Sequence, residues 1–413
     1  MDSIKIQSIS LRDYKCFEDV FINCEKSDGT IYQWTILLGN NNTGKTNILK
    51  AVAGMRPKKW NVHKNKDKDK QELREDFVMI PALFAERIDN SNFVTNSADG
   101  KITLKLKNFP GEWFCSNGMA STDKKYLLDD NLHIIGYGVS RYPSKTNLAD
   151  SICEECATLF YTDQRLINIE EWLMQLDYSA KSDNLIARNR LNKIRELITS
   201  GIFPEILDFK FETTDAMHNY VLFKSKDGWY RYTELGFGYQ SMLAWVIDLA
   251  KRLFDKYPDS ENPLQEEAVV LIDEIDLHLH PQWQRDVISV ISGIFPNVQF
   301  IATTHSPLVI QSLEEVNLYA LHREEEKVIV EKTERTNYSG WTVEEILRET
   351  MGLNNNIQSN IMQRYQQMFE DGLGKNNIEQ VKMAYAKIKQ IIHPNNPLGR
   401  IMDIQLNQLE AEQ

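Results

Sequence analysis

Two stretches far apart in the chain carry residue types at spacings suited to chemistry. Gly39-Asn40-Asn41-Asn42-Thr43-Gly44-Lys45-Thr46 has the spacing GxxxxGKT and stands between the apolar run Trp34 to Leu38 and the helical pattern Asn47 to Val52. In strand, loop, helix context, the backbone N–H groups of such a loop and the following helix N-terminus cradle phosphate. Lys45 then reaches the β/γ oxygens and the Thr46 hydroxyl ligates Mg²⁺. Asn42 stands where many such loops carry glycine, and Asn is the non-glycine residue most at ease at positive φ, so the loop is expected to close. The second stretch, Ala268 to Pro281, reads AVVLIDEIDLHLHP. Its unbroken apolar run predicts a parallel strand buried on both faces, delivering Asp273 and Glu274 to the sheet's carboxyl edge, where doubly wound sheets bind ligands.

Two more segments aim at that edge. Val298 to Thr304 predicts a buried neighbouring strand ending at His305-Ser306-Pro307, which puts a histidine where a γ-phosphate contact belongs. Leu235-Gly236-Phe237-Gly238-Tyr239-Gln240-Ser241 opens a long helix with Met242, Trp245, Val246, Leu249 and Leu253 on one face. Glycines at its N-terminus offer a second anion site.

These groups need a scaffold. Ile4 to Leu11, continuing to Phe17, predicts a strand with Val20 to Ile22 as hairpin partner, and together with Trp34 to Leu38 they are expected to form one flank of a mixed sheet. Lys101 to Lys107 alternates, and His133 to Gly138 is a short strand followed by Ser140 and Arg141. Leu148 to Ser200 turns helical, with Ile169, Trp172, Leu173, Leu176 and then Leu191, Ile194, Leu197 at helical spacing. Strands return at Ile206 to Phe211, and Tyr220 to Phe223 meets Trp229 to Tyr232 across Lys226-Asp227-Gly228. Trp283 to Ile294 reads as a helix, and Leu318 to Leu321 pairs with Lys327 to Val330. After Thr336 come amphipathic helices at Val343 to Met351, Asn360 to Phe369 and Ile378 to Ile392, expected to pack on the body or on a partner. The lysine-rich Arg56 to Asp76, with Lys58, Lys59, Lys64, Lys66, Lys68 and Lys70, reads as a solvated loop able to touch a phosphate backbone.

The 413 residues carry a formal charge of −12, which argues against coating nucleic acid indiscriminately while leaving room for a local basic groove. No run of about 18 apolar residues exists to span a bilayer, and Met1-Asp2-Ser3-Ile4-Lys5 does not open like a signal peptide, so a cytoplasmic protein without membrane business is expected. The five cysteines, Cys16, Cys24, Cys115, Cys153 and Cys156, are scattered and odd in number, which argues against a disulfide framework. Cys153-Glu-Glu-Cys156 lacks the second pair that a zinc site needs.

Taken in order, the segments resemble the nucleotide-binding heads of the ABC/SMC-like ATPases, which include RecF and SMC proteins and the OLD-type defence ATPases. GNNNTGKT resembles Walker A, LGFGYQS the signature motif, AVVLIDE Walker B and IATTHSP the switch-histidine segment. The resemblance implies an α/β fold, an ABC-type P-loop NTPase head of mixed and parallel sheet with helices. Its lobes fall at 1–145 (Walker A) and 206–336 (signature, Walker B, switch histidine), around a helical insertion at 146–205 and before a helical C-terminal appendage at 337–413. It implies ATP and Mg²⁺ as cofactors and two heads sandwiching ATP. Gly39, Asn40, Asn41, Asn42, Thr43, Gly44 and Lys45 would hold phosphate, and Thr46 and Asp273 the metal. Glu274 would be the general base and His305 the γ-phosphate contact. Gly238 would lie on that phosphate from the opposite subunit, with Ser241 in the same motif, and Asp276 would sit at the dimer seam. Gly236 replaces the signature's usual serine, and Arg141 stands where a Q-loop glutamine is expected. His278 and His280, following the Walker B carboxylates, read as structural.

YGVSR at Tyr137 to Arg141, LINIEEWLMQLDY at Leu166 to Tyr178 and TVEEILRETMGL from Thr342 are similar to the ATPases of Septu anti-phage systems and related retron-associated ATPases. That family acts with an HNH nuclease partner, and this chain shows no nuclease motif of its own. The expectation is a homodimer, or higher even oligomer, that controls such a nuclease, with DNA reached through the complex and the tail as docking region. Two other readings fit the motifs: a RecF-like repair ATPase that clamps DNA directly, and a nucleotide-gated scaffold with little turnover.

Overall fold

Strands buried on both faces need neighbours on both sides, and that requirement sets the architecture. The structure, a computed structural model, describes residues 4–64, 75–81, 99–108, 112–116, 119–122, 132–145, 154–216, 219–325, 327–352 and 359–411. In chain order the N-terminal part runs β1 (Ile6–Tyr14), β2 (Phe17–Asn23), β3 (Trp34–Gly39), α1 (Lys45–Gly54), β4 (Pro57–Lys64), β5 (Glu75–Pro81), β6 (Lys101–Leu106), β7 (Glu112–Ser116), β8 (Met119–Thr122) and β9 (Ile134–Tyr137). Then follow α2 (Ala157–Phe160), α3 (Ile169–Lys181), α4 (Leu185–Leu197), β10 (Asp208–Thr213), β11 (Asn219–Ser225), β12 (Gly228–Arg231), α5 (Phe237–Lys256), β13 (Val269–Ile272), α6 (Pro281–Ile294), β14 (Gln299–Thr304), α7 (Pro307–Gln311), β15 (Asn317–Glu324) and β16 (Lys327–Lys332). The chain closes with α8 (Val343–Glu349), α9 (Asn360–Gly374), α10 (Ile378–Ile391) and α11 (Pro397–Ala411).

The central sheet is ordered β16-β15-β3-β14-β13-β9, parallel from β15 to β9, with β16 antiparallel at one edge. Its inner strands β3, β13 and β14 are buried at every position, as the apolar runs require. The register sets Leu38 opposite Thr304 and Ile272 opposite both Ala302 and Tyr137, so the strands' carboxyl ends form one edge.

β1 and β2 are not a flank of this sheet. They belong to an antiparallel sheet ordered β2-β1-β6-β7-β8. The reason is that β3 already has parallel partners on both sides, β14 and β15, and offers no free edge. Gln299 ties the two sheets: its side-chain amide accepts from Ile6 N and donates to Ile6 O, both at 2.8 Å, in place of a backbone ladder. β10, β11 and β12 form a third, antiparallel sheet, in which Ser225 faces Gly228 around the tight Lys226-Asp227 turn.

The basic segment is not one loop. β4 and β5 pair as an antiparallel ribbon, and Arg56 before them is 2% exposed and ion-paired with Glu154 and Glu155. Lys66, Lys68 and Lys70 lie outside the described residues, as does Cys153. The helices α3 and α4 start where asparagine caps them: Asn168 accepts from Glu171 N and Asn184 from Ala187 N, each cap worth about 1 kcal/mol.

Two compact units result, Met1–Ile346 and Leu347–Gln413. In the second, α9, α10 and α11 bury their stripes on one another, around Phe369, Val381, Ala384, Tyr385, Ile388, Met402 and Leu409. The stripes thus supply their own core. The helix α11, absent from the sequence reading, is signalled by Pro397 at its first turn and by Met402, Leu406 and Leu409 at helical spacing. No helix among the described residues is long and apolar enough to cross a membrane.

Candidate nucleotide site

The β3–α1 loop shows why this sequence makes an anion cradle. Asn42 adopts φ 64° and Gly44 φ 82°, both left-handed, which turns the loop into the N-terminus of α1 without a side-chain cap. A Cβ on Gly44 would stand 2.6 Å from Cys16 Sγ and 2.7 Å from Phe17, so the β1–β2 turn buttresses the loop from behind. Lys45, 6% exposed, folds its Nζ onto Gly39 O at 2.8 Å and Asn40 O at 2.9 Å. Burial brings its pKa down to about 8, against the pull of Asp273, Glu274 and Asp276.

An open cavity of about 650 Å³ joins Asn41, Asn42, Thr43, Gly44, Lys45 and Thr46 to Asp273, Glu274 and His305, with Cys16, Asn47 and Arg323 completing its walls. Thr46 Oγ1 donates to Asp273 Oδ2 at 2.8 Å, bringing two hard oxygen donors from opposite ends of the chain together. Hydroxyl and carboxylate oxygens are the donor set that Mg²⁺ takes, and an ion there would be held by both. Thr303 Oγ1 donates to Asp273 Oδ1 at 2.7 Å and accepts from Glu274 N at 2.7 Å. One β14 hydroxyl therefore fixes both Walker B residues.

Glu274 has φ 49°, a left-handed backbone costing about 1–3 kcal/mol for a non-glycine residue. It is held from both sides: Ile275 N donates to Thr303 O, and Arg141 Nη2 donates to Glu274 O at 2.7 Å. The Glu274 carboxylate lies 3.9 Å from His305 Nε2. The pKa of His305 is lowered by burial and then by Lys45, against Glu274, Asp276 and Asp273, which favours the neutral imidazole.

The remaining predicted residues sit elsewhere. Asp276 accepts from Thr304 Oγ1 beside the cavity. Gly238 packs against the turn after Walker B, where a Cβ would stand 2.5 Å from His278 O, and it does not line the cavity. Ser241 is buried within α5, whereas Gly236 and Phe237 are exposed at its start, Phe237 by 69%. His280 caps α6 by accepting from Gln282 N, and His278 turns the chain at φ 63°. Among the described residues no cluster of three or more His, Cys, Asp or Glu side chains could hold a metal.

Sequence reasoning missed Thr303, Cys16, Asn47 and Arg323. Thr303 carried a signal, since period two along β14 sets it on the side of His305. Arg323 did not: it reaches the loop, donating to Asn42 O at 3.3 Å, because Leu321 pairs with Gly39, and that pairing is invisible in one segment.

A glycine-rich loop between a buried parallel strand and a helix, facing two strand-end carboxylates, defines a P-loop nucleotide-binding fold. A family model described as "AAA domain, putative AbiEii toxin, Type IV TA system" matches residues 130–311. The chain is 34% identical over 213 residues to Septu protein PtuA of Bacillus thuringiensis, an overlap of 50% of this chain and 53% of that protein. It is 26% identical to the Retron Vc95 probable ATPase of Vibrio cholerae, over 75% of this chain and 72% of that one. The SMC head domain from Thermotoga maritima aligns with 12% identity and a TM-score of 0.38, covering 80% of this chain and all of that domain, 100%. The chain spans about half the length of the Septu relatives it matches, 53% and 44%. By these matches the chain is similar to AAA-type ATPases.

Proposed function

We propose that this chain is a Mg²⁺-dependent ATPase head that closes in pairs on ATP, and that its nucleotide state controls a nuclease partner in anti-phage defence. The observation that carries the reading is the convergence of Lys45, Thr46, Asp273, Glu274 and His305 on one cavity at the sheet's carboxyl edge. Lys45 leaves its loop carbonyls for the β/γ-phosphate oxygens. Thr46 and Asp273 would hold Mg²⁺, which would supply charge neutralisation at the phosphates. Glu274 orients the attacking water, and neutral His305 donates to the γ-phosphate. Little covalent work falls to the protein, so positioning and charge neutralisation supply the rate.

Pairing is supported by the start of α5, where Gly236 and Phe237 are exposed yet do not line their own chain's cavity. A second copy would supply them in trans. The defence role rests on the Septu and retron relatives, and the HNH nuclease on the family resemblance. The test is Glu274→Gln in the full chain, with mass read by light scattering. The variant should bind ATP, stall hydrolysis, and double its mass with Mg-ATP and not with ADP. Unchanged mass with saturating ATP would remove the paired head.

A further inference from the structure

We infer that Arg141 is the positioning residue for Glu274, holding the base's backbone in its left-handed conformation and supplying the cation behind the Walker B turn. The inference rests on the hydrolytic reading above. Arg141 is 1% exposed and lies on the segment leaving β9. That segment grips both Walker B residues by their backbones: Tyr137 O accepts from Asp273 N at 2.8 Å, and Arg141 Nη2 donates to Glu274 O at 2.7 Å. Among the described residues, Arg141 Nε and Nη1 have no hydrogen-bond partner. A guanidinium so buried and so little bonded needs compensation, and the charges that act on it are Asp273, Asp276 and Glu274, in that order. Those three carboxylates share one short turn, which Arg141 reaches at Glu274 O while Lys45 lines the cavity.

The placement has a second consequence. The stretch after Arg141 is bound to the approach to α3: Leu166 N donates to Tyr142 O and Ser144 N to Leu166 O, at 2.9 and 2.7 Å. Arg141 therefore joins the helical insertion to the carbonyl of the base. It does not line the cavity, so its effect on ATP is exerted through Glu274. Because one donor and one charge are what the contact uses, lysine can replace it in part, unlike at a forked guanidinium site.

The experiment is a double-mutant cycle on the full chain with Arg141→Met, Glu274→Gln and the pair, and with Arg141→Lys as conservative control. Single-turnover hydrolysis, direct ATP binding and thermal unfolding are read for each. Arg141→Met should slow hydrolysis by on the order of tenfold to a hundredfold with ATP affinity unchanged. In the Glu274→Gln background it should add less than about threefold, since residues acting as a unit are not additive. Arg141→Lys should stay within about fivefold of the parent, one donor being retained. Multiplicative effects in the double variant, ATP affinity that falls with the rate, or a lysine variant as slow as the methionine one while still folded would each overturn the inference. A parent chain that binds ATP without hydrolysing it would remove the hydrolytic reading itself, and the inference with it.

Discussion

Lys45 rests on Gly39 O and Asn40 O with its pKa lowered to about 8, because burial disfavours its charge more than the nearby carboxylates favour it. Phosphate binding needs the cation. Below pH 8 the lysine is already charged and affinity for ATP should be flat. Above it, binding must recharge the amine, so affinity should fall by up to about tenfold per pH unit. Titration calorimetry from pH 7 to 9.5 reads this directly, and Lys45→Met should bind weakly with the slope gone. A second residue-scale prediction concerns Thr303, whose one hydroxyl serves both Asp273 and Glu274. Thr303→Val keeps the shape and removes both bonds, at about 1–3 kcal/mol in urea unfolding, with turnover falling more than ATP affinity. Equal stability and turnover would show that the hydroxyl fixes nothing. The sequence made Lys45, Thr46, Asp273, Glu274 and His305 readable as neighbours because each sits at a fixed offset inside a local motif. It hid Thr303's two hydrogen bonds and Arg323's reach because both depend on which strands pair.

At the scale of elements, the sheet's edge strand and the signature helix are joined by one buried carboxylate. Asp248 on α5, fully buried, accepts from the Tyr137 hydroxyl at 2.9 Å, from Arg252 Nε at 2.6 Å and from Ile167 N at 3.5 Å. β9, α5 and the chain entering α3 therefore meet at a single side chain, and Tyr137 precedes by one residue the glycine turn that leads to Arg141. Asp248→Ala removes the acceptor all three use beside a largely buried guanidinium. It should cost about 3–5 kcal/mol in urea unfolding, whereas Tyr137→Phe, which leaves the Arg252 pair intact, should cost about 1 kcal/mol. A cost below about 1 kcal/mol for Asp248→Ala would mean that the three elements are held by packing alone. Elements were the most legible level of this chain: the buried runs at β3, β13 and β14 and the helical spacing of α3 and α4 announce themselves. The place of β1 and β2 was not legible, since an amphipathic hairpin fits either sheet until the free edges of β3 are counted.

At the scale of the molecule, Leu347–Gln413 has its own core, closed in part by the Tyr385 hydroxyl donating to Asp403 across α10 and α11. That self-sufficiency changes what the remaining apolar residues are for. Ile401 and Ile404 on α11 stay 52% and 58% exposed, and Met383 and Ile391 on α10 58% and 49%. Single exposed apolar side chains are ordinary, and Ile401 and Ile404, three residues apart on α11, are the pair to charge first. If this unit docks the nuclease of the proposed complex, Ile401→Asp with Ile404→Asp should abolish co-purification of the protein encoded beside this chain. ATP binding and the unfolding profile of the variant should stay within about 0.5 kcal/mol of the parent, because neither side chain is in the core. Retained co-purification would move the docking surface to the first unit, where Leu185 and Ile186 at the start of α4 are 72% and 60% exposed and become the next pair to charge.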